Sequence, residues 1–177
     1  MYSVVALAIL GTFFGLRSYR NYQKNSVKNF KPVFAAPVGW VNEPHGPTTL
    51  FKFADPSTKL VLRGAVNQMI SDSNPTPDLD TAGIAKFYLE RTKQSMPDWT
   101  GKDLGDYSTH KGNSYEVIRR ATKDRVVVTA YWVRGNTTLL ISLFGKDKSM
   151  NKVDANLGKL YSFLDTISLN EQDMSRL

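Results

Sequence analysis

Apolar and β-branched runs in the middle of the chain predict β-strands. The runs 48–54 and 59–69 flank Asp55-Pro56-Ser57-Thr58, whose composition is typical of a tight turn, so they predict a β-hairpin. Further along, three runs rich in β-branched and aromatic residues are separated by short turns, which predicts a three-strand antiparallel meander. These runs are 114–122, 126–133 and 137–144.

Two other segments repeat their apolar residues with the period of an α-helix, which places one apolar stripe on each. The first segment is 79–95, and Pro97 ends it. The second is 151–167, with Asn151 as its predicted N-cap. The first stripe is Ile84, Ala85, Tyr88, Leu89, Thr92 and Met96, and the second is Val153, Leu157, Leu160, Leu164 and Ile167.

The segment 98–113 carries Gly101, Gly105 and Gly112 among polar residues. This composition predicts a long surface connection between the first helix and the meander, and long connections are often functional. Trp99 and Leu104 could attach this segment to the core, but a tryptophan in a loop also makes Trp99 the strongest candidate for a contact residue.

The order of hairpin, helix, connection, meander and helix predicts an α+β fold with helices packed on an antiparallel sheet. About 140 residues follow residue 36, which is a usual size for one domain with one core. We therefore expect a domain at 37–169, followed by a flexible tail at 170–177.

The N-terminus begins with fifteen uncharged, mostly apolar residues, Tyr2 to Leu16. Extending this run to Tyr19 gives a helix of about 27 Å, close to the thickness of a hydrocarbon core. Residues 1–19 are therefore predicted to be a single-pass transmembrane anchor. A cleaved signal peptide is the alternative, since its hydrophobic stretch has a similar length.

The charge of the chain is concentrated after this apolar run. Residues 1–42 carry five basic and no acidic groups, whereas residues 43–177 carry 18 basic and 16 acidic groups. Residues 20–36 are therefore predicted to be a basic tether that contacts anionic lipid headgroups. By the positive-inside rule the domain is expected to be cytoplasmic, with a periplasmic or lumenal position as the alternative. The predicted membrane-surface contacts are Arg17, Arg20, Lys24 and Lys28.

The sequence carries no catalytic motif. It has no cysteine, no GxSxG elbow, no phosphate-binding loop and no dinucleotide-binding GxGxxG pattern. The two histidines would have to recruit distant carboxylates to form a zinc site. We therefore expect no cofactor, no metal, no nucleic-acid partner and no enzymatic activity.

Five short stretches resemble the PsbP family, which contains the extrinsic subunit of photosystem II and many bacterial relatives. The similarity spans about residues 37–169 and is one of pattern and order. It implies an αβα-type sandwich used as a non-enzymatic binding or assembly module, and it implies no catalytic residues. The stretches are Pro37-Val38-Gly39-Trp40, Leu50-Phe51-Lys52-Phe53, 112–119, 139–145 and Phe163-Leu164-Asp165-Thr166-Ile167.

Two functions follow from these observations. The first is a membrane-tethered, non-enzymatic module that binds a protein partner or helps a membrane complex to assemble. The second is a small ligand-binding or hydrolytic domain that uses the 98–113 segment, and it requires four side chains to converge in one cleft. These candidate contact residues are Trp99, Asp103, Asp106 and His110.

Overall fold

The computed structural model describes residues 32–68, 80–134, 137–145 and 150–169. The predicted anchor, the predicted membrane-surface contacts, residues 20–31 of the tether and the 170–177 tail lie outside these ranges. Among the residues that are described, no helix is long and apolar enough to cross a membrane.

The described residues form seven strands and three helices in chain order. Their bounds are β1 Val41–Asn42, β2 Thr49–Ala54, β3 Leu60–Gln68, α1 Thr81–Ser95, β4 Thr100–Ser108, β5 Ser114–Ala121, β6 Val126–Arg134, β7 Thr137–Gly145, α2 Met150–Ala155 and α3 Leu157–Thr166. The predicted hairpin is β2–β3, and the predicted meander is β5–β6–β7.

All strands belong to one antiparallel sheet with the order β1-β2-β3-β7-β6-β5-β4. The hairpin and the meander join where β3 pairs with β7 along its whole length, from Leu60 opposite Gly145 to Gln68 opposite Thr137. The architecture is therefore α+β, as predicted.

Each face of the sheet is covered by helical residues. On β5 and β6, Val117 and Ala130 belong to the large core, whereas Ile118 and Tyr131 belong to a smaller cluster. Neighbouring residues of a strand point to opposite faces, so the two clusters lie on opposite sides of the sheet. The smaller cluster contains residues of α1, and the large core contains residues of α2 and α3. This gives the three-layered arrangement.

The core under α3 is rich in phenylalanine. The ring of Phe34 lies 4.7 Å from that of Phe51 and 5.9 Å from that of Phe163, measured between centroids. Gly64 on β3 makes room for the ring of Phe51, because a Cβ at this position would collide with it. Since Phe34 packs here, residues 32–36 of the predicted tether belong to the packed part of the chain.

The predicted surface connection at 98–113 is wrong in its larger part, because residues 100–108 form strand β4 at the edge of the sheet. Its partly buried residues are Gly101, Leu104 and Tyr107, which are three residues apart. A register shift between Asp103 and Gly105 produces this spacing. The bulge in this edge strand therefore interrupts the two-residue alternation of apolar and polar residues by which a strand is recognised in a sequence.

The second predicted helix is interrupted. Asn156 has non-helical dihedral angles (φ −119°, ψ 20°), so α2 ends before it and α3 begins after it. α2 begins at Met150, one residue before the predicted cap Asn151. The predicted stripe still faces the core, where Val153, Leu160 and Leu164 are buried. In the first predicted helix, by contrast, Met96 of the stripe lies just after the end of α1 and is 51% exposed.

Candidate functional site

A concave surface of about 760 Å³ lies where the end of α1 meets the turn between β5 and β6. We call it the Trp99 pocket. It is lined by Ser95, Met96, Pro97, Asp98, Trp99, Thr122, Lys123, Asp124 and Arg125.

Two local turns place the walls of the Trp99 pocket. The amide N–H of Met96 donates to the carbonyl of Thr92, and that of Trp99 donates to the carbonyl of Met96, so the chain reverses directly after α1. On the other wall, the hydroxyl of Thr122 accepts from the amides of Asp124 and Arg125 at 3.2 and 3.0 Å. The first wall is therefore held by backbone hydrogen bonds, and the second by the side chain of Thr122.

The lining of the Trp99 pocket combines apolar surface with charges of both signs, because Asp98 and Asp124 accompany Lys123 and Arg125. Trp99 is half-buried, Met96 is half-exposed, and the side chains of Lys123 and Arg125 are exposed. Tryptophan, methionine and arginine are enriched in protein interfaces. The contact role of Trp99 stays a prediction, and its position in the lining of this pocket is consistent with that role.

Asp103 and Asp106 lie on β4, away from the Trp99 pocket. The register shift between them turns both side chains to the α1 face, where Asp106 is opposite Glu116 and Asp103 is opposite Ile118. The carboxylate of Asp103 also accepts from the amide of Gly105 at 2.8 Å. The two aspartates therefore come together, and they do so around a third acidic residue.

Glu116 is the acidic residue that sequence reasoning missed. It is only 5% exposed. Burial, together with the nearby carboxylates of Asp106 and Asp103, raises the pKa of Glu116 to about 8. At neutral pH its carboxyl group is mostly protonated, and it can donate a hydrogen bond to an aspartate. Within the described ranges, no group of three or more histidine, cysteine, aspartate or glutamate residues is arranged to hold a metal ion.

His110 lies in the turn between β4 and β5, whereas Trp99 immediately precedes β4. The nine residues of β4 separate them, which is about 30 Å at 3.3 Å per residue. The four side chains required by the hydrolytic or ligand-binding hypothesis therefore do not converge. That hypothesis is wrong as a single cleft at 98–113, because the segment is extended rather than folded on itself.

A second concave surface, of about 710 Å³, runs between residues 35–40 and α3. We call it the Trp40 groove. Its lining is mainly small or apolar, and comprises residues 35–40, Asp55, Pro56, Ser57, Gly158, Lys159, Ser162, Phe163 and Thr166.

The lining of the Trp40 groove contains an ion pair between a buried aspartate and a partly exposed lysine. Asp55 is 5% exposed, and its carboxylate lies 2.8 Å from the ammonium of Lys159. It also accepts from the hydroxyls of Ser57 and Thr58 at 2.6 and 2.7 Å. Lys159, followed by these hydrogen bonds, holds the pKa of Asp55 well below its usual range. The same ammonium lies 5.8 Å from the centroid of the Trp40 ring.

No family model and no curated protein sequence matches the chain. Its structure is similar to the solution structure of the cyanobacterial PsbP protein (CyanoP) from Synechocystis sp. PCC 6803. The identity is 13%, the match covers 81% of this chain and 88% of that one, and the TM-score is 0.53. The chain therefore has a PsbP-like fold. This confirms the resemblance predicted from the order of its elements.

The structure of this chain is also similar to that of a second bacterial protein. LpqN of Mycobacterium tuberculosis is described as involved in cell envelope biogenesis. It shares 16% identity, the match covers 78% of this chain and 85% of that one, and the TM-score is 0.50. At these identities the likeness establishes the fold alone.

Within the PsbP-like domain, the sequence carried a signal for one concave surface and almost none for the other. Trp99 attracted attention because it lies outside every predicted element. The Trp40 groove combines residues from three distant parts of the chain, and the pair of Asp55 and Lys159 spans 104 positions. A tight turn accounts for the composition of residues 55–58, so this composition does not indicate that Asp55 pairs with a distant lysine.

Proposed function

We propose that this protein is a membrane-tethered, non-enzymatic module that binds a protein partner or supports the assembly of a membrane complex. The observation that carries the proposal is the Trp99 pocket, where apolar surface from Met96 and Trp99 lies beside charged side chains of both signs. This is the combination expected of a binding surface rather than of a catalytic cleft.

The energetics of the Trp99 pocket favour a protein partner. A tryptophan or methionine side chain that becomes fully covered contributes on the order of 1.5–3 kcal/mol from apolar surface alone. In interfaces, a few such residues provide most of the binding energy, and surrounding polar residues exclude water. Charged side chains of both signs would supply the polar rim, and they favour a partner that places complementary charges around an apolar side chain.

The tether is supported by the sequence of the first 42 residues. The apolar run to Tyr19 is long enough to serve as an anchor in a thin membrane, and the basic residues that follow it suit anionic headgroups. The positive-inside rule places the domain in the cytoplasm. The structural similarity to LpqN, a protein involved in cell envelope biogenesis, is compatible with a function at either side of a membrane.

Sidedness and anchoring are tested together by protease treatment of intact and opened membranes. We expect the chain to stay with the membrane fraction after a high-salt wash. A cytoplasmic domain is digested only when the membranes are opened, whereas a periplasmic domain is digested from outside. Release of the full chain into the soluble fraction would contradict the anchor.

The partner surface is tested by site-specific crosslinking. The natural chain has no cysteine, so Met96→Cys provides a unique site for a photoreactive label. In native membranes we expect one defined adduct with a single partner. Adding Trp99→Ala should reduce it at least tenfold, since truncating a hot-spot aromatic costs about 2 kcal/mol or more.

The matched control is Lys86→Cys, an exposed position on α1 that does not line the Trp99 pocket. A label there should give no such adduct. Equal adducts from both positions, or an adduct unaffected by Trp99→Ala in a folded variant, would reject the Trp99 pocket as the partner surface.

A further inference from the structure

Exposed large hydrophobic side chains are concentrated in one short segment. We call residues 33–42 the N-terminal edge. Val38 is fully exposed, Val33 is 60% exposed and Val41 is 50% exposed. In the described part of the chain these are three of five exposed large hydrophobic residues. The half-buried Trp40 lies among them.

The acidic residues near this edge are neutralised. The carboxylate of Glu43 lies 2.9 Å from the ammonium of Lys52, and that of Asp55 lies 2.8 Å from the ammonium of Lys159. The sequence before the edge adds five basic residues and no acidic one. The surface offered by this side of the domain is therefore apolar with a cationic approach, which is complementary to an anionic lipid surface.

The length of the tether keeps this edge close to the bilayer. If the anchor ends at Tyr19, twelve residues separate it from Pro32. Such a linker spans at most about 40 Å, and about 20 Å on average. Val33 follows Pro32 directly, so the N-terminal edge is the first packed part of the domain after the membrane.

We propose that the N-terminal edge lies on the anionic bilayer surface, with Val38 and Trp40 at the level of the headgroups. This proposal rests on the tether of the proposed function, and its ligand is the lipid surface itself. Valine supplies apolar area, and tryptophan prefers the interface, where its ring is apolar and its N–H is hydrated.

This docking fixes the orientation of the domain. β1 and β4 are the first and last strands of the described sheet. They are separated by six strand spacings, or about 29 Å. With the N-terminal edge on lipid, β4 and the Trp99 pocket point away from the bilayer. A partner could then approach the Trp99 pocket without displacing lipid.

The test uses the full chain in vesicles of about three parts phosphatidylcholine to one part phosphatidylglycerol. Val38→Cys is labelled with a polarity-sensitive dye, which the cysteine-free sequence makes unique. The control is Met96→Cys, at the far end of α1. We expect the dye at position 38 to shift to the blue and to be quenched at least twofold by spin-labelled lipid, and the dye at position 96 to behave as in water.

Removing the anionic lipid, or adding Val33→Asp and Val41→Asp, should reduce the quenching at position 38 severalfold while the chain still floats with the vesicles. These positions are exposed, and an unchanged circular dichroism spectrum establishes that the variants fold. Salt should weaken the quenching, because it screens the charges.

The failures are distinguishable. A chain that does not float with the vesicles contradicts the tether of the proposed function. A chain that floats but is quenched equally at positions 38 and 96 overturns the docking and leaves the tether standing. The dye at position 38 could be exposed in vesicles that contain no other protein but protected in native membranes. That result would show that a partner protein covers this edge, and it would also overturn the docking.

Discussion

The two edges of the sheet differ in strand length and in the side chains that they expose. At one edge, β1 has two residues, its surroundings carry exposed valines, and its acidic neighbours are ion-paired. At the other edge, β4 has nine residues, a register shift and the charged side chains of Lys102, Asp103 and Asp106. Charges and bulges on an edge strand oppose pairing with another chain. The β4 edge therefore suits exposure to solvent, whereas the exposed apolar side chains of the N-terminal edge favour contact with another surface.

The largest effect is expected at the ion pair that joins the N-terminal side of the sheet to α3. Asp55→Asn replaces a buried carboxylate that accepts from Lys159, Ser57 and Thr58. Losing these charge-assisted hydrogen bonds should lower the free energy of unfolding by about 2–3 kcal/mol, as measured by urea denaturation at pH 7. Glu90→Gln is the control, because its pair with Lys93 is exposed and should contribute less than about 0.5 kcal/mol.

The sign of the pH dependence sharpens this first prediction. The pKa of Asp55 is lowered in the folded state. The ionised carboxylate therefore makes its full contribution to the free energy of unfolding above the pKa of an aspartate in the unfolded chain, near 3.9, and that contribution is lost as the pH falls below this value. The difference between the wild type and Asp55→Asn should therefore shrink in acid. A difference that is constant from pH 7 to pH 3 would show that lost packing, rather than the charge, caused the effect.

The second prediction concerns the β4 side, where the sign is reversed. The pKa of Glu116 is raised to about 8 in the folded state, so the folded protein holds this proton more tightly than the unfolded chain. Its contribution to stability is complete below its unfolded pKa, near 4.3, and is lost as the pH rises toward about 8.

Glu116→Gln keeps the hydrogen-bond donor and removes the titration. We expect its urea midpoint to vary less than that of the wild type between pH 5 and pH 8, and to exceed it at the upper end. The control is Asp124→Asn, an exposed residue of the β5–β6 turn. Parallel pH profiles for the wild type and Glu116→Gln would refute the protonated carboxyl group of Glu116 on β5.

The smallest effect on the stability of the fold is expected when the charges of the β4 edge are removed. Asp103→Val with Asp106→Val leaves a β-prone edge without its acidic side chains. We expect concentration-dependent self-association by analytical ultracentrifugation, with little loss of secondary structure. Lys86→Ala with Glu90→Ala on α1 removes two charges away from the edge. If this control associates equally, general loss of charge rather than the edge strand would be responsible.

The strongest β-runs and the apolar stripe of the C-terminal helix were predictable because their signals are local. β6 consists mainly of β-branched and aromatic residues, β7 combines such residues with leucines, and Val153, Leu160 and Leu164 follow the helical period. The pattern failed on β4, where Leu104 and Tyr107 are separated by three residues rather than two. It also failed at Asn156, where two short helices share one stripe. In both places a local irregularity keeps the apolar side chains on the core side.

The candidate site was predictable only as far as single residues were conspicuous. Trp99 stood out by its position between elements, and it lines a concave surface. Glu116 did not stand out, because its environment depends on a bulge in the neighbouring strand. His110 was grouped with Trp99 because a loop could have brought them together, whereas a strand keeps them apart.

Local patterns in the sequence are sufficient to indicate the first helix, the apolar stripe of the C-terminal helical segment, the hairpin, the meander and the concentration of basic charge after an apolar run. These properties depend on residues that are near each other in the chain. Only the tertiary structure decided that β3 pairs with β7, that the two edges differ in charge and exposure, and that Asp55 meets Lys159. The physical reason is that strand order and cross-strand neighbours are set by burying all apolar faces at once, which no single segment encodes.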